Sequence, residues 1–436
     1  MTGQPASFIA GPGGRISGEL GVPGDKSISH RALMLGAFAQ GITQVSGFPD
    51  AEDCLATLAA FAAMGVRIER PAADRLIIHG AARRLNAPSA ALDLGNSGTG
   101  MRLLAGLLCG QSFDLTLVGD HSLMRRPMER VAAPLRRMGA TIHTHHGRPP
   151  LQIEGGRVLR GCAHELDVPS AQVKSAILLA GIQAAGLTSV SEPVMSRDHT
   201  ERMLAAFGVP VEREGATVTL RGPAALRGTS IDVPGDFSSA AFFIVAGIIA
   251  GAASLLIRGV GVNPTRTGLL EILRLMGADI RLQNARECGG EPVADIEVRP
   301  GPLRGIAVPR ELVASAIDEF PVLFAAAAVA AGETVVTGAA ELRVKESDRI
   351  TVMAEGLQRL GVQADVLPDG MRIRGGPVHG GIVACSGDHR VAMSFAILAA
   401  RASAPVVIRD VRYVATSFPG FAATARGAGL LIGEEG

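Results

Sequence analysis

Basic side chains collect at polar turns that run straight into apolar, helix-forming segments. Lys26 and Arg31 flank two serines in the turn 24–31, and Arg125 and Arg126 precede a proline. The amino end of a helix carries a partial positive charge, so a cation there is unfavourable unless an anion binds beside it. These turns therefore predict sites for phosphate or carboxylate groups. The phosphate-loop pattern of nucleoside triphosphatases is absent from 24–31, so that activity is not inferred.

A second charged segment, residues 343–349 (RVKESDR), mixes cations with carboxylates. If the segment is helical, Lys345 and Arg349 are i,i+4 neighbours and Glu346 lies beside them. A carboxylate held among cations that bind an anion can act as a general acid or base. Asp318 precedes an apolar helical segment and is a second candidate acid. The alternative is an ordinary charged helix surface.

The charged turns recur six times, and each begins an Ala/Leu-rich helix. They are centred on residues 24–27, 95–98, 169–172, 235–238, 317–320 and 387–390. Between them, second helices end at a glycine such as Gly65 or Gly139, and an alternating strand follows. Glycine fits a left-handed helix end, and alternation indicates a half-buried strand. The pattern predicts six βαβαββ repeats of about 70 residues, longer than solenoid repeats.

Six repeats divide naturally into two domains of three. We expect the boundary near Val233 and Pro234, and we expect the first twenty-odd residues to return to the second half of the chain. The predicted domains are therefore 22–234, and 1–21 together with 235–436. Periodicity alone leaves open a duplication for packing, with the polar turns serving only as helix N-caps.

The composition excludes several classes of function. The chain has 42 Lys and Arg against 41 Asp and Glu, so its net charge of +1 gives no general attraction to nucleic acid or to an anionic membrane. Five scattered cysteines lack metal-ligand spacing, and the first residues do not resemble a secretory signal. We expect a cytoplasmic protein without a metal site. The apolar segment 240–257 is interpreted as a buried helix followed by a strand, not as a membrane span.

Six motifs, taken in order, resemble those of the EPSP synthase (3-phosphoshikimate 1-carboxyvinyltransferase) family. They are GDKSISHR at 24–31, GNSGT at 95–99, RPM at 126–128, SAQ at 170–172, RVKESDR at 343–349 and DHR at 388–390. The resemblance covers nearly the whole chain and all six repeats. It implies a two-domain inside-out α/β barrel fold with three βαβαββ repeats per domain and an active site in the cleft between the domains.

The resemblance also implies transfer of the enolpyruvyl group of phosphoenolpyruvate to the 5-hydroxyl of shikimate 3-phosphate, in the pathway to chorismate and the aromatic amino acids. The shikimate 3-phosphate ligands would be Lys26, Ser27, Arg31, Ser170, Ala171, Gln172, Arg197, Asp318 and Lys345. The phosphoenolpyruvate ligands would be Lys26, Gly98, Arg126, Gln172, Arg349 and Arg390. Asp318 would be the base for the hydroxyl, and Glu346 with Lys26 would act on the methylene carbon. Neither step needs a metal or an organic cofactor, and we expect a monomer whose partners are small molecules.

Details of the motifs resemble the bacterial class II branch of the family, which is often tolerant of the inhibitor glyphosate. Gly98, however, stands where tolerant members carry an alanine that crowds the inhibitor, and Thr416 stands where class I members have a lysine. We therefore expect glyphosate to bind this chain.

Two alternative functions are a UDP-N-acetylglucosamine enolpyruvyl transferase and a non-catalytic sensor. The UDP-N-acetylglucosamine enolpyruvyl transferases share the fold, but they have an asparagine where Ser27 follows Lys26, and the loop 119–122 lacks their cysteine. A non-catalytic sensor of phosphorylated metabolites would gain nothing from Asp318 and Glu346 beside its ligand. Both alternatives are therefore less favoured than the EPSP synthase reaction.

Overall fold

The computed structural model describes residues 6–436, and these divide into two units. The first unit comprises Gly24–Pro234 and Glu287–Glu291; the second comprises 6–23, Gly235–Arg286 and Pro292–Gly436. The short segment 287–291 differs from the predicted ranges. It groups with the first unit, where Glu291 Oε1 lies 2.7 Å from His199 Nδ1.

Helices begin at all six repeated turns. The helices are α1 (Lys26–Phe38), α2 (Glu52–Ala63), α3 (Gly98–Leu108), α4 (Glu129–Arg137), α5 (Ala171–Gly181), α6 (His199–Ala206), α7 (Phe237–Ile249), α8 (Gly268–Leu275), α9 (Val313–Ala316), α10 (Phe320–Ala327), α11 (Arg349–Arg359), α12 (His389–Leu398) and α13 (Phe421–Gly427). Helices α1, α3, α5, α7, α10 and α12 start at the six turns, and nearly all of their residues are buried. Each polar turn therefore leads directly into a helix that lies in the core of its unit.

Side chains in five of these turns cap the helices α1, α3, α5, α7 and α12. Asp25 Oδ1 accepts a hydrogen bond from the Ile28 N–H (2.9 Å), and Asp236 Oδ2 accepts one from Ser239 (2.8 Å). The second helix of a repeat ends at a glycine instead. Helices α2, α4, α6, α8 and α11 are followed by Gly65, Gly139, Gly208, Gly277 and Gly361, whose φ angles lie between 82° and 101°. The left-handed helix ends predicted from the glycines are confirmed.

The strands are short and form small sheets. They are β1 (Ser7–Ala10), β2 (Ile16–Gly21), β3 (Gln40–Ser46), β4 (Arg67–Ala72), β5 (Arg75–Ala81), β6 (Leu92–Asp93), β7 (Leu115–Val118), β8 (Thr141–His145), β9 (Arg148–Glu154), β10 (Ala163–Glu165), β11 (Gly186–Ser191), β12 (Glu212–Glu214), β13 (Thr217–Gly222), β14 (Ser230–Asp232), β15 (Gly251–Gly261), β16 (Asp279–Cys288), β17 (Glu291–Arg299), β18 (Glu333–Val336), β19 (Gln363–Leu367), β20 (Gly370–Arg374), β21 (Gly381–Ala384), β22 (Val406–Arg409) and β23 (Ile432–Glu435). The first unit contains three four-stranded sheets, in the orders β14-β3-β5-β4, β6-β7-β9-β8 and β10-β11-β13-β12. Strand β14 joins the sheet of the first repeat although it follows the third repeat in the chain.

The first pair of strands in each of these sheets is parallel, and the remaining pairs are antiparallel. A parallel pair requires a crossover, and α3 and α5 make it in the second and third sheets. In the first sheet β14 comes from the end of the segment 24–234, so α1 does not connect it to β3. The order β6-α3-β7-α4-β8-β9 is the predicted βαβαββ pattern, and the third repeat follows it as well. The mixed α/β class with repeated small sheets is confirmed.

The second unit repeats this plan with strands taken from distant parts of the sequence. Its sheets have the orders β16-β17-β15-β2, β18-β20-β19 and β21-β22-β1-β23. Strand β2 pairs in parallel with β15, and β1 lies between β22 and β23. In the fifth repeat the predicted first strand is wrong, because it is reduced to two isolated parallel bridges, Arg304 with Ala331 and Ala307 with Val335.

The apolar segment 240–257 forms the end of α7 and the start of β15, as predicted. Every residue of α7 is buried in the core of the second unit. Within residues 6–436, no helix is long and apolar enough to cross a membrane.

Glycine allows the buried helices α3 and α5 to approach closely. A methyl group on Gly106 would lie 2.1 Å from the carbonyl oxygen of Ala176. Gly106 and Ala176 both belong to helices, so neither backbone can move away easily. We expect Gly106→Ala to destabilise the first unit by about 1–3 kcal/mol through overpacking, which thermal denaturation would measure. Gly427→Ala is the matched control, because Gly427 is also helical and has open space around it. An unchanged melting temperature for Gly106→Ala would contradict this interpretation of the packing.

Candidate active site

Lys26 is the first residue of α1 and makes an ion pair in the first unit. Its Nζ lies 2.8 Å from Asp53 Oδ2, with the Lys26 side chain 19% and the Asp53 side chain 9% exposed. Asp25 caps the same helix with its carboxylate. The two acids compensate the cation at the helix start, and the ammonium group remains partly accessible to an anionic ligand.

Arg31, one turn further along α1, is almost completely buried and bonded to three parts of the first unit. Its guanidinium donates to the Thr200 hydroxyl (2.7 Å), the Ser27 carbonyl (2.8 Å) and the Ser175 hydroxyl (2.8 Å). Burial lowers the pKa of Arg31 to about 10, against the effects of Glu201 and Asp25; Arg197 also lowers it. Arg31 therefore fixes the Ser27 turn relative to α5 and α6.

His30 connects the helices α1, α2 and α3 from within the core. Its Nδ1 lies 2.8 Å from the Thr57 hydroxyl, and its Nε2 lies 3.4 Å from Ser97 Oγ, the N-cap of α3. Burial lowers the pKa of His30 to about 3, and the charges of Lys26 and Arg31 act in the same direction. The imidazole is therefore neutral and serves as a hydrogen-bonding link.

The start of α3 brings Gly98 against two guanidinium groups. A methyl group on Gly98 would lie 2.8 Å from Arg126 Nη1 and 3.1 Å from Arg102 Nη1. Arg126 donates to Asn96 Oδ1 (2.6 Å), and Arg102 donates to Gln172 Oε1 (2.6 Å). Gly98, Arg126 and Gln172, all predicted as ligands of phosphoenolpyruvate, therefore belong to one connected set.

Ser170 lies directly before α5, and Arg197 lies just before α6 of the same unit. Ser170 is the N-cap of α5, and its Oγ accepts from the Val173 N–H at 3.4 Å. Ala171 and Gln172 are the first two helical residues, and the Gln172 amide donates to the Thr99 hydroxyl at 2.9 Å. Arg197 precedes α6 by two residues and lies close enough to Arg31 to influence its pKa.

In the second unit, Arg349 is the centre of a charged cluster. Its buried guanidinium contacts Glu346, lies 2.8 Å from Asp388 Oδ2 and lies 3.6 Å from Asp318 Oδ1. Burial opposes the charge, but these three carboxylates together raise the pKa of Arg349. Arg349 is therefore a permanent cation that is surrounded by three carboxylates.

Asp318 and Glu346 are the more accessible acids of this cluster. Asp318 Oδ1 lies 3.1 Å from Lys345 Nζ; the Asp318 side chain is 16% exposed and that of Glu346 is 19% exposed. The carbonyl of Asp318 accepts a hydrogen bond from Arg390 Nη1 at 3.1 Å. One cluster therefore contains five predicted residues: Asp318, Lys345, Glu346, Arg349 and Arg390.

The helical interpretation of 343–349 is wrong. A short 3-10 helix ends at Val344, and α11 begins only at Arg349, with Asp348 Oδ1 accepting from the Thr351 N–H at 3.2 Å. The N-cap signal of Asp348 outweighs the i,i+4 charge pattern. Lys345 and Arg349 share Asp318 as a partner instead of stacking on a helix face.

Sequence reasoning missed the partners that hold the cations. Asp53 pairs with Lys26, and the buried Glu319 lies 3.4 Å from Arg390. Asp388 was identified only as part of a charged turn and of the motif at 388–390, yet it caps α12 and pairs with Arg349. Arg102, four residues after Gly98, carried a helical-spacing signal that could have identified it.

The histidine-rich hairpin is separate from these clusters. His143 and His145 lie on β8, and His146 and Gly147 form its turn with positive φ. Across the residues that the structure describes, no group of three His, Cys, Asp or Glu side chains is arranged to hold a metal ion.

A family profile and the curated relatives decide the affiliation. The profile of EPSP synthase (3-phosphoshikimate 1-carboxyvinyltransferase) matches residues 11–424. The chain belongs to the EPSP synthase family. The 3-phosphoshikimate 1-carboxyvinyltransferase of Methylococcus capsulatus is 60% identical over 434 residues, which cover 99% of both chains. That of Alkalilimnicola ehrlichii is 59% identical over 98% of this chain and 96% of its own. The resemblance predicted from the six motifs is confirmed.

Solved structures agree with this affiliation. An EPSP synthase structure from Acinetobacter baumannii aligns with a TM-score of 0.88 at 52% identity, over 98% of this chain and 99% of its own. The enolpyruvyl transferase NikO from Streptomyces tendae has a TM-score of 0.79 at 20% identity, over 99% of both chains. The latter similarity shows the fold alone. The enolpyruvyl transferase fold is therefore confirmed.

The neutral state of His30 predicts a pH dependence of stability. The folded pKa is about 3 against an ordinary value of 6.5, so between these limits the unfolded chain binds a proton that the folded chain does not. Stability therefore falls as pH falls through this window, by about 1.4 kcal/mol per pH unit at most from this group. We expect His30→Gln to flatten the pH dependence of the free energy of unfolding, measured by urea denaturation between about pH 4 and 6.

His121→Gln is the control for this measurement, because His121 is exposed and belongs to the same unit. It should leave the slope unchanged. The same steep slope in His30→Gln as in the unsubstituted protein would contradict the assignment of the titration to His30.

Proposed function

We propose that this chain transfers the enolpyruvyl group of phosphoenolpyruvate to the 5-hydroxyl of shikimate 3-phosphate and releases inorganic phosphate. The observation that carries the proposal is the cluster around Arg349, in a chain 60% identical to a 3-phosphoshikimate 1-carboxyvinyltransferase. Two accessible acids, Asp318 and Glu346, lie there among cations. Cations alone would bind the substrates, whereas proton transfer during the reaction requires acids.

In our proposal, shikimate 3-phosphate is bound mainly by side chains at the starts of α1 and α5. The group consists of Lys26, Ser27, Arg31, Ser170, Ala171, Gln172 and Arg197, with Asp318 and Lys345 from the second unit. Ser170 and Arg197 serve the phosphate, and the helix dipole of α5 adds to the attraction. Arg31 has bonds to protein on all three nitrogens, so its contribution includes fixing the Ser27 turn.

Phosphoenolpyruvate is proposed to bind to arginines from both units. Arg126, Arg349 and Arg390 offer planar guanidinium groups that suit its carboxylate and phosphate. Lys26 and Gln172 add hydrogen-bond donors, and Gly98 leaves space beside Arg126. Each unit thus supplies part of the binding machinery.

The proposed chemistry has two stages. Asp318 removes the proton of the 5-hydroxyl as its oxygen bonds to C2 of phosphoenolpyruvate, and Glu346 with Lys26 delivers a proton to C3. The product of this stage is a tetrahedral ketal phosphate. Loss of a proton from C3 to the same groups then re-forms the double bond and expels inorganic phosphate. The proton held by Asp318 passes to the departing phosphate, so Asp318 and Glu346 both return to their starting states.

Location, assembly and inhibition complete the proposal. We propose that the enzyme works as a monomer in the cytoplasm and that glyphosate competes with phosphoenolpyruvate. The absence of a crowding side chain at Gly98 supports the last point. We propose placement within the class II branch from the motif forms at 24–31, 170–176 and 197–201 and from Thr416, whereas Gly98 departs from the tolerant members of that branch.

Phosphate release from phosphoenolpyruvate tests the reaction directly, with shikimate 3-phosphate and UDP-N-acetylglucosamine as parallel acceptors. We expect release with shikimate 3-phosphate only. Asp318→Asn and Glu346→Gln keep the side-chain volume but remove the acid, so kcat should fall by about 100-fold or more. Binding of shikimate 3-phosphate, measured by calorimetry, should persist in both variants.

Glu355→Gln is the matched control, since Glu355 is an exposed acid on α11 of the same unit. Its kcat should equal that of the unsubstituted enzyme. Release with UDP-N-acetylglucosamine alone would replace the proposed acceptor, and no release with either acceptor would favour a sensor. Full turnover in both acid variants would remove Asp318 and Glu346 from the mechanism.

Gly98→Ala tests the glyphosate proposal. The added methyl group would lie 2.8 Å from Arg126 Nη1, so the guanidinium must shift. Glyphosate has one more atom than phosphoenolpyruvate between its carboxylate carbon and its phosphorus, and we expect it to tolerate this shift less. Its inhibition constant should rise about tenfold or more, while KM for phosphoenolpyruvate should rise less than about threefold. Gly301→Ala, which adds a methyl group in open space, should change neither constant. An unsubstituted enzyme insensitive to millimolar glyphosate would contradict the proposal.

A further inference from the structure

A lysine and two glutamates are buried together in the first unit, outside the residues assigned to the substrates. Lys174 Nζ lies 2.9 Å from Glu192 Oε2 and 2.9 Å from Glu201 Oε1. The side chains of Lys174 and Glu192 are each 1% exposed. Removing such charges from water is costly, and apolar residues would often give equal stability. The three residues, called the Lys174 trio below, therefore require an explanation other than packing.

The Lys174 trio binds both the N–H and the carbonyl of Ser196, in the loop before α6. Glu192 accepts hydrogen bonds from the Ser196 N–H (3.1 Å) and from the Ser196 hydroxyl (2.7 Å). Lys174 donates from Nζ to the Ser196 carbonyl at 3.2 Å. Ser196 is itself buried. Its peptide groups are thus fixed in position by a charged pair, which makes stronger hydrogen bonds than neutral groups do.

The same carboxylate also fixes the start of α5. Glu192 Oε1 accepts a hydrogen bond from the Ser170 N–H at 2.9 Å. Ser170 is the N-cap of α5, and Lys174 projects from the first turn after it. One glutamate therefore connects the cap of α5 to the loop before α6.

The residues adjoining these anchors are the proposed phosphate ligands. Arg197 follows Ser196 directly, and Ser170 is bonded to Glu192 through its own N–H. An arginine on a loop loses much conformational freedom when it binds an anion, unless its backbone is held beforehand. Glu201, the third member, also favours the charged form of Arg31.

We propose that the Lys174 trio is a positioning device for phosphate recognition, which sets the distance between Ser170 and Arg197 before shikimate 3-phosphate binds. The inference rests on the proposed function, because it takes Ser170 and Arg197 as phosphate ligands. Lys174, Glu192 and Glu201 are positioning residues and do not themselves contact the substrate. The trio therefore acts on the affinity for one substrate and leaves the other unaffected.

Glu192→Gln is the most direct test. The amide keeps the side-chain volume but replaces an acceptor oxygen with a donor, so the N–H groups of Ser170 and Ser196 cannot both be satisfied. Lys174 retains Glu201 as its partner. We expect KM for shikimate 3-phosphate to rise about tenfold, with kcat and KM for phosphoenolpyruvate changed less than about twofold.

The matched control is Glu212→Gln, an exposed acid on β12 of the same unit, which should leave all constants unchanged. A purely structural trio would lower the melting temperature of Glu192→Gln without separating the two KM values. That result, or an equal rise in both KM values, would overturn the proposal.

Ser196→Ala covers the case in which Glu192→Gln does not fold. It removes the hydrogen bond from the Ser196 hydroxyl to Glu192 and keeps the buried ion pairs. KM for shikimate 3-phosphate should therefore rise about threefold, and an unchanged KM would overturn the proposal.

Arg197→Ala separates a failure of the positioning role from a failure of the ligand assignment. If Arg197→Ala raises this KM and the trio variants do not, the positioning role fails alone. If Arg197→Ala leaves it unchanged, the assignment of the phosphate ligands fails first.

Discussion

A cation at the amino end of a helix is repelled by the helix dipole, and both units are organised around compensation for this repulsion. Lys26 begins α1 and is paired with Asp53, while Asp25 caps the same helix. Arg349 begins α11 and is paired with Asp388, which also caps α12. Each carboxylate stabilises a cation before any substrate is present. The bases are thus kept charged and oriented at points where free N–H groups already favour anions.

The acids of the structure fall into two groups that differ in accessibility. Asp318 and Glu346 are partly exposed, so substrates and protons can reach them. Glu192, Glu319 and Asp388 are buried and bonded to cations or to backbone N–H groups. A buried carboxylate with several donors holds its charge and its place, which suits support of other residues. The division between chemistry and support therefore follows from burial, although the residue types are the same.

Much of the fold could be predicted because its signals are local. A polar turn before an apolar run and a glycine after a helix are decided within a few residues, so the six helix starts and the left-handed ends were predictable. The partners of the cations were not, because Arg31 and Thr200 are 169 residues apart and Lys26 and Asp53 are 27 apart. The error at Lys345 arose where two local signals competed and the cap at Asp348 prevailed. The isolated bridges at Arg304 and Ala307 show that a repeat can lose a strand while its neighbours still form the sheet.

The position of β1 has a consequence for how the chain is made. This strand lies between β22 and β23, pairing Ile9 with Val407 and with Gly433. During synthesis β1 emerges first, yet both of its neighbours emerge last. The segment 24–234 has nearly all of its sheet partners within itself, so it can fold while the ribosome is still translating the remainder. Residues 7–10 therefore cannot form these ladder hydrogen bonds until 406–409 and 432–435 have been made.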